Sequence, residues 1–167
     1  MPSVLFVCTA NQFRSPIAAA CLNDFIDQQN TPEKWRVESA GTWTKPGLPA
    51  SALAVQIAHR FGLRELESHA TRQVNQELLD QFDLILVMET GHLEAIASEF
   101  PNVFGRMMLL YEIVDGLLYD IPDPALSEES SPKEIANEVC NLVRKGFRSI
   151  CSQAERLGRA RNYPDSA

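Results

Sequence analysis

Val4, Leu5, Phe6 and Val7 form an unbroken β-favouring apolar run that stops at Cys8. That is the pattern of a strand buried on both faces of a parallel sheet. From Pro16 the period changes: Ile17, Ala18, Cys21, Leu22, Phe25 and Ile26 recur at helical spacing, with Asn23, Asp24, Asp27 and Gln28 on the opposite face. Strand, loop and helix open a βαβ unit. The alternation continues, predicting a strand over Trp35 to Ala40, a helix over Ala50 to Phe61, a strand over Leu84 to Met88, a short helix over Gly91 to Glu99 and a strand near Met107 to Leu110. Ser131-Pro132-Lys133-Glu134 is a capping box with proline at the first helical position. Ile135, Val139, Leu142, Val143, Phe147, Ile150, Cys151 and Ala154 then run in phase as far as Gly158. Gly41 to Pro49 and Tyr119 to Ser131 are rich in turn residues and read as surface loops. The expected fold is α/β, a doubly wound sheet of about four parallel strands with helices on both faces, over residues 1–158 with 159–167 as a C-terminal tail.

A chain of 167 residues suits one core. Its 15 Lys and Arg against 22 Asp and Glu leave a net charge of −7, which repels nucleic-acid backbones and anionic membranes as a whole. The early apolar run is too short for a signal-peptide core and lacks a preceding basic region, so the expected location is cytoplasmic. Cys8, Cys21, Cys140 and Cys151 form no C-x-x-C pair and have no histidine cluster nearby, which argues against a zinc site and against a disulfide framework. Cys21, Cys140 and Cys151 fall at apolar helical positions and read as core.

The remaining cysteine starts the segment Cys8-Thr9-Ala10-Asn11-Gln12-Phe13-Arg14-Ser15-Pro16, the first strand-to-helix turn. In open parallel sheets ligands bind beyond the carboxyl ends of the strands, and this turn is the favoured place. A loop that aims backbone N–H groups and a helix N-terminus at one point is an anion nest, and a thiol at its floor ionises readily. Arg14 adds a planar fork able to hold two phosphate oxygens at once. Together these groups describe a phosphate-binding loop with a nucleophile.

Val7-Cys8-Thr9-Ala10-Asn11-Gln12-Phe13-Arg14-Ser15-Pro16 resembles the V-C-x-G-N-x-C-R-S-P signature of the low-molecular-weight protein-tyrosine phosphatases. Further matches follow in order: Ser39-Ala40-Gly41-Thr42 to S-A-G-T, Ser68-His69-Ala70-Thr71-Arg72-Gln73 to S-x-H-x-A-R-Q, Phe82-Asp83-Leu84-Ile85 to the strand before an M-D pair, and Asp120-Ile121-Pro122-Asp123-Pro124 to a late D-P loop. The resemblance implies the phosphotyrosine phosphatase I-like fold and hydrolysis of a phosphomonoester with no metal or organic cofactor. Cys8 would attack phosphorus to give a cysteinyl-phosphate, Arg14 would hold the equatorial oxygens, and Asp123 would serve as general acid and then base, with Asp120 as competitor. Thr9, Ala10, Asn11, Gln12, Phe13 and Ser15 would form the rest of the loop, with Ser39 and His69 supporting it through Asn11 and Ser15. His59 and His92 match no motif and read as structural or solvated.

Four positions depart from the family pattern. Ala10 replaces the loop glycine, a strain if that residue needs positive φ. Phe13 replaces the second loop cysteine, Ala125 the D-P-Y tyrosine, and Glu89 the aspartate of the M-D pair. Trp43 is a candidate replacement wall beside the substrate. Gln12 fits neither the aliphatic residue associated with phosphotyrosine nor the threonine associated with phosphoarginine. Expected partners are a phosphotyrosine-containing protein or small aryl phosphate, with inorganic phosphate as product or inhibitor. The alternatives are arsenate reduction and a phosphate- or phosphotyrosine-binding module that has lost turnover.

Overall fold

The computed structural model describes residues 1–29 and 33–162. The apolar run forms β1 (Ser3–Cys8), buried along its whole length at an inner position of the sheet. It pairs in parallel with β2 (Arg36–Gly41) on one side and β3 (Leu84–Val87) on the other. β4 (Met107–Leu109) adds to β3, giving the order β2-β1-β3-β4 with every pair parallel. Side chains alternate between two cores, as the strand period requires. Val4, Phe6 and Cys8 pack with α1 (Arg14–Gln28), α2 (Ala52–Arg60) and α6 (Pro132–Asn162), whereas Leu5 and Val7 pack with α3 (Gln76–Asp80) and α4 (Thr90–Glu99). A further short helix, α5 (Leu110–Asp115), leans on α6. The sheet is the expected doubly wound one, and the strand order reverses between β1 and β3.

Element ends move by one or two residues from the expected positions, for local reasons. α2 begins at Ala52 because Ser51 caps it, its hydroxyl accepting the Ala54 N–H at 3.1 Å. α6 does not stop at Gly158 but continues to Asn162, so the first residues of the expected tail are helical. Arg161 fastens that last turn by donating to the Phe82 carbonyl at 2.7 Å and Asp83 Oδ1 at 3.0 Å. Residues 163–167 of that tail lie outside the described residues.

One expectation is overturned. Cys21 and Cys140 form a disulfide joining α1 to α6, with Cα atoms 5.9 Å apart. Both were correctly placed on the apolar faces of helices. What the sequence conceals is that α1 and α6 lie side by side, which brings residues 119 apart in the chain within bonding reach.

Candidate active site

Cys8 ends β1, and Arg14 opens α1. The loop between them is clamped at a single left-handed residue, Asn11 at φ 57°. Ala10 is not at positive φ, so its Cβ carries no such strain and the substitution of the family's glycine is compatible with this loop shape. Asn tolerates the left-handed region better than most residues, and its amide is fully used. Nδ2 donates to Ser15 Oγ and Ser39 Oγ, both at 2.9 Å, while Oδ1 accepts the Arg72 N–H at 2.9 Å. His69 Nε2 donates to the Asn11 carbonyl at 2.7 Å, and burial holds its imidazole below the ordinary histidine range. The expected supporting residues Ser39 and His69 therefore meet around Asn11.

Gly41 permits this closeness. A Cβ there would lie 2.5 Å from the Thr9 carbonyl oxygen, a backbone atom that cannot move aside cheaply. The S-A-G-T glycine is thus required by the approach of β2 to the loop.

None of the backbone N–H groups from Thr9 to Ser15 finds an acceptor among the described residues. α1 also has no side-chain N-cap and no acidic residue in its first turn. Open donors at a helix start form a cradle for an anion. Cys8 Sγ lies 3.0 Å from Ser15 Oγ. Since Ser15 accepts from Asn11, its one proton serves either the sulfur or the Ala40 carbonyl at 3.3 Å. The other free cysteine, Cys151, lies on α6, where burial pushes its thiol up to about 11.

Arg14 is 2% exposed and has no slack. Its Nη1 donates to the Ile121 carbonyl at 2.7 Å and pairs with Glu89 Oε1, and its Nη2 meets Asp123 Oδ2 at 3.2 Å. Glu89, noted in the sequence only as a departure, thus supplies the carboxylate that aims the guanidinium. Asp123 keeps Oδ1 on the Ala125 N–H at 2.9 Å, a turn that presents the carboxyl to the cleft. Asp120 is engaged elsewhere, accepting the Thr90 N–H at 2.7 Å at the start of α4.

A cavity of about 310 Å³ opens above this floor. Cys8, Ala10, Gln12, Phe13, Arg14 and Asp123 reach it, and Leu53, Pro124, Ala125 and Pro132 form much of its apolar wall. Trp43 does not line it. The Trp43 N–H donates to the Thr9 carbonyl at 3.1 Å, but the residue is 83% exposed. Leu53, one residue into α2, lines the cavity where the sequence suggested an aromatic; only the pairing of the Ser51 N–H with the Gln12 carbonyl, at 2.9 Å, reveals that α2 starts against the loop. Gln12 lines the cavity with its amide held, donating to the Pro49 carbonyl at 3.0 Å.

His92, read from the sequence as structural or solvated, is structural. It is buried on α4, accepts the Glu89 N–H on Nδ1 at 3.1 Å, and sets Nε2 2.9 Å from Thr9 Oγ1. Its position three residues after Glu89 is the one signal that could have flagged it, since it is the spacing of a capping box.

Known proteins resemble this chain along nearly its whole length. The low molecular weight phosphotyrosine protein phosphatase family matches residues 3–160. The low molecular weight protein-tyrosine-phosphatase YfkJ of Bacillus subtilis is 31% identical over 93% of this chain and 97% of its own. The YwlE arginine phosphatase of Geobacillus stearothermophilus superposes with a TM-score of 0.78 at 29% identity, over 95% of this chain and 97% of that one. The tyrosine phosphatase Wzb of Escherichia coli K30, solved in complex with sulphate, gives 0.71 at 32% identity over 94% and 99%. The chain belongs to the low molecular weight phosphotyrosine protein phosphatase family.

Proposed function

We propose that the chain is a protein-tyrosine phosphatase in which Cys8 is the nucleophile, Arg14 the phosphate clamp and Asp123 the general acid and base. The observation that carries this is that Cys8, Arg14 and Asp123 line one cavity together with Ala10, Gln12 and Phe13, loop residues whose N–H groups have no acceptor among the described residues. The Cys8 thiolate attacks phosphorus while the bond to the phenolic oxygen breaks and Asp123 hands that oxygen a proton. Water then attacks phosphorus, Asp123 takes its proton, and the P–S bond breaks to release phosphate and thiolate. Backbone donors and Arg14 meet the charge that spreads over the equatorial oxygens in both steps. Ser15 sits where its hydroxyl can donate to the departing sulfur.

The apolar wall of Leu53, Phe13, Pro124 and Ala125 suits an aromatic ring standing on the loop, which favours phosphotyrosine in a protein or an aryl phosphate as substrate. The likeness to an arginine phosphatase motivates a second substrate, phosphoarginine; the Gln12 amide, turned to Pro49, gives it no polar contact at that position. A cytoplasmic location belongs to the same reading, the early apolar run being used as the inner strand β1.

Hydrolysis of p-nitrophenyl phosphate across pH 5–8 in reducing buffer, comparing wild type with Cys8→Ser and Asp123→Asn, tests the mechanism. Cys8→Ser should abolish turnover while still binding phosphate. Asp123→Asn should slow turnover on the order of 10²–10⁴-fold, most severely for phenyl phosphate, whose leaving group most needs the proton. Equal rates for Cys8→Ser and wild type would overturn it. Phosphate binding by a folded wild type without hydrolysis would point instead to a binding module, or to arsenate reduction if a thiol-dependent arsenate assay is positive.

A further inference from the structure

The chemistry just described leaves one buried titratable group beside the loop unused. His92 is the third residue of α4 and 5% exposed. Its Nδ1 accepts the Glu89 N–H at 3.1 Å, so a neutral ring must carry its proton on Nε2. That Nε2–H donates to Thr9 Oγ1 at 2.9 Å. In an ordinary capping box the side chain at this position serves only the backbone N–H of the N-cap residue. The imidazole has a second nitrogen on its far side, and here that nitrogen reaches the residue directly after Cys8. The residue whose main chain it grips, Glu89, carries the carboxylate paired with Arg14. One rigid ring therefore spans from the first residue of the phosphate-binding loop to the group that aims the guanidinium.

We propose that His92 is a positioning residue of the phosphate site, a neutral imidazole that holds Thr9 and Glu89 at a fixed separation and thereby keeps the loop and Arg14 in register for the phosphate. This rests on the phosphatase reading of the site. The groups facing the ring are Arg14 from α1, Glu89 at the start of its own helix, and Asp120 and Asp123 from the loop before α6. Burial and then Arg14 keep the ring uncharged, outweighing the three carboxylates and bringing its pKa down to about 4. A protonated ring could no longer accept the Glu89 N–H, so the brace exists only in the neutral form.

Two isosteres separate the two ends of the ring. In His92→Asn the amide oxygen replaces Nδ1 and keeps the bond from Glu89, but nothing reaches Thr9. In His92→Gln the amide nitrogen replaces Nε2 and keeps the bond to Thr9. The readouts are the Kd of inorganic phosphate together with kcat and KM for p-nitrophenyl phosphate, on variants whose melting temperatures show them folded. His92→Asn should weaken phosphate binding and raise KM about tenfold, the cost of one lost internal hydrogen bond. His92→Gln should recover most of that loss, Thr9→Val should reproduce it, and the double variant Thr9→Val with His92→Asn should be no worse than either single change. Wild-type phosphate affinity in His92→Asn with a loss in His92→Gln would reduce the residue to a helix cap and overturn the proposal. So would additive losses in the double variant. A wild type that binds phosphate without hydrolysing would refute the phosphatase reading, while the phosphate Kd values would still decide the role of His92.

Discussion

The loop from Cys8 to Ser15 is held on two flanks by different physics. Toward β2, Asn11, Ser15, Ser39 and His69 are joined by neutral hydrogen bonds between short, largely buried groups. Toward β3, the ties are charged: Arg14 with Glu89 and Asp123, and a neutral imidazole at their edge. The first flank sets the shape of the backbone, and short side chains do this well because they lose little rotamer freedom on being fixed. The second sets the direction of the buried Arg14 guanidinium, which an ion pair in a low-dielectric site can do without adding bulk. Shape and aim are thus maintained by separate sets of residues, and substitutions should split accordingly between stability and turnover.

The sharpest test of that division is Arg14→Lys. The ammonium keeps the charge but loses the fork, so kcat for p-nitrophenyl phosphate should fall on the order of 10²–10³-fold with little change in the urea midpoint. A large loss of stability with kcat preserved would break the comparison. Asn11→Ala should do the reverse. It puts a Cβ residue without a compensating amide at φ 57° and leaves Ser39 and the Arg72 N–H without their partner, costing about 3 kcal/mol of folding stability in urea titrations. Asn11→Gly should regain only the backbone part, about 1 kcal/mol.

A further expected effect is on pH dependence. His92 has a folded pKa of about 4 against an ordinary 6.5, so between those values the unfolded chain binds a proton that the folded protein refuses. Stability should therefore decline as pH drops from 6.5 toward 4, by roughly 2–3 kcal/mol from this residue. His69, also lowered by burial, adds in the same direction from the other flank. Urea midpoints at pH 7, 5.5 and 4.5 should show a shallower decline in His92→Gln than in wild type. Identical slopes would show that the imidazole is not held neutral.

The two flanks also differed in how plainly the sequence announced them. The β2 side came through contiguous motifs, Asn11 and Ser15 within the loop and Ser39 and His69 in short recognisable strings. On the β3 side Arg14 and Asp123 also stood in motifs, but Glu89 and His92 are isolated residues whose partners become visible only once α4 is set against the loop. Long periodic segments such as β1, α1 and α6 were readable because a buried face repeats along them. α3 and α5, at five and six residues, complete fewer than two turns and offer no period to detect. The disulfide was not legible because pairing across 119 residues is a property of how two helices lie together.

That bond divides the chain topologically. Residues 21–140 become a covalent ring containing Ser39, His69, Glu89, His92 and Asp123, while β1, Cys8 and Arg14 sit on an arm outside it. Closing so large a ring removes disorder from the denatured chain worth about 5 kcal/mol in the loop-entropy account. Cys8 and Asp123 therefore lie on opposite sides of the ring's closure, and the robustness of their meeting follows the redox state of the surroundings even though no sulfur of the bond touches the cavity.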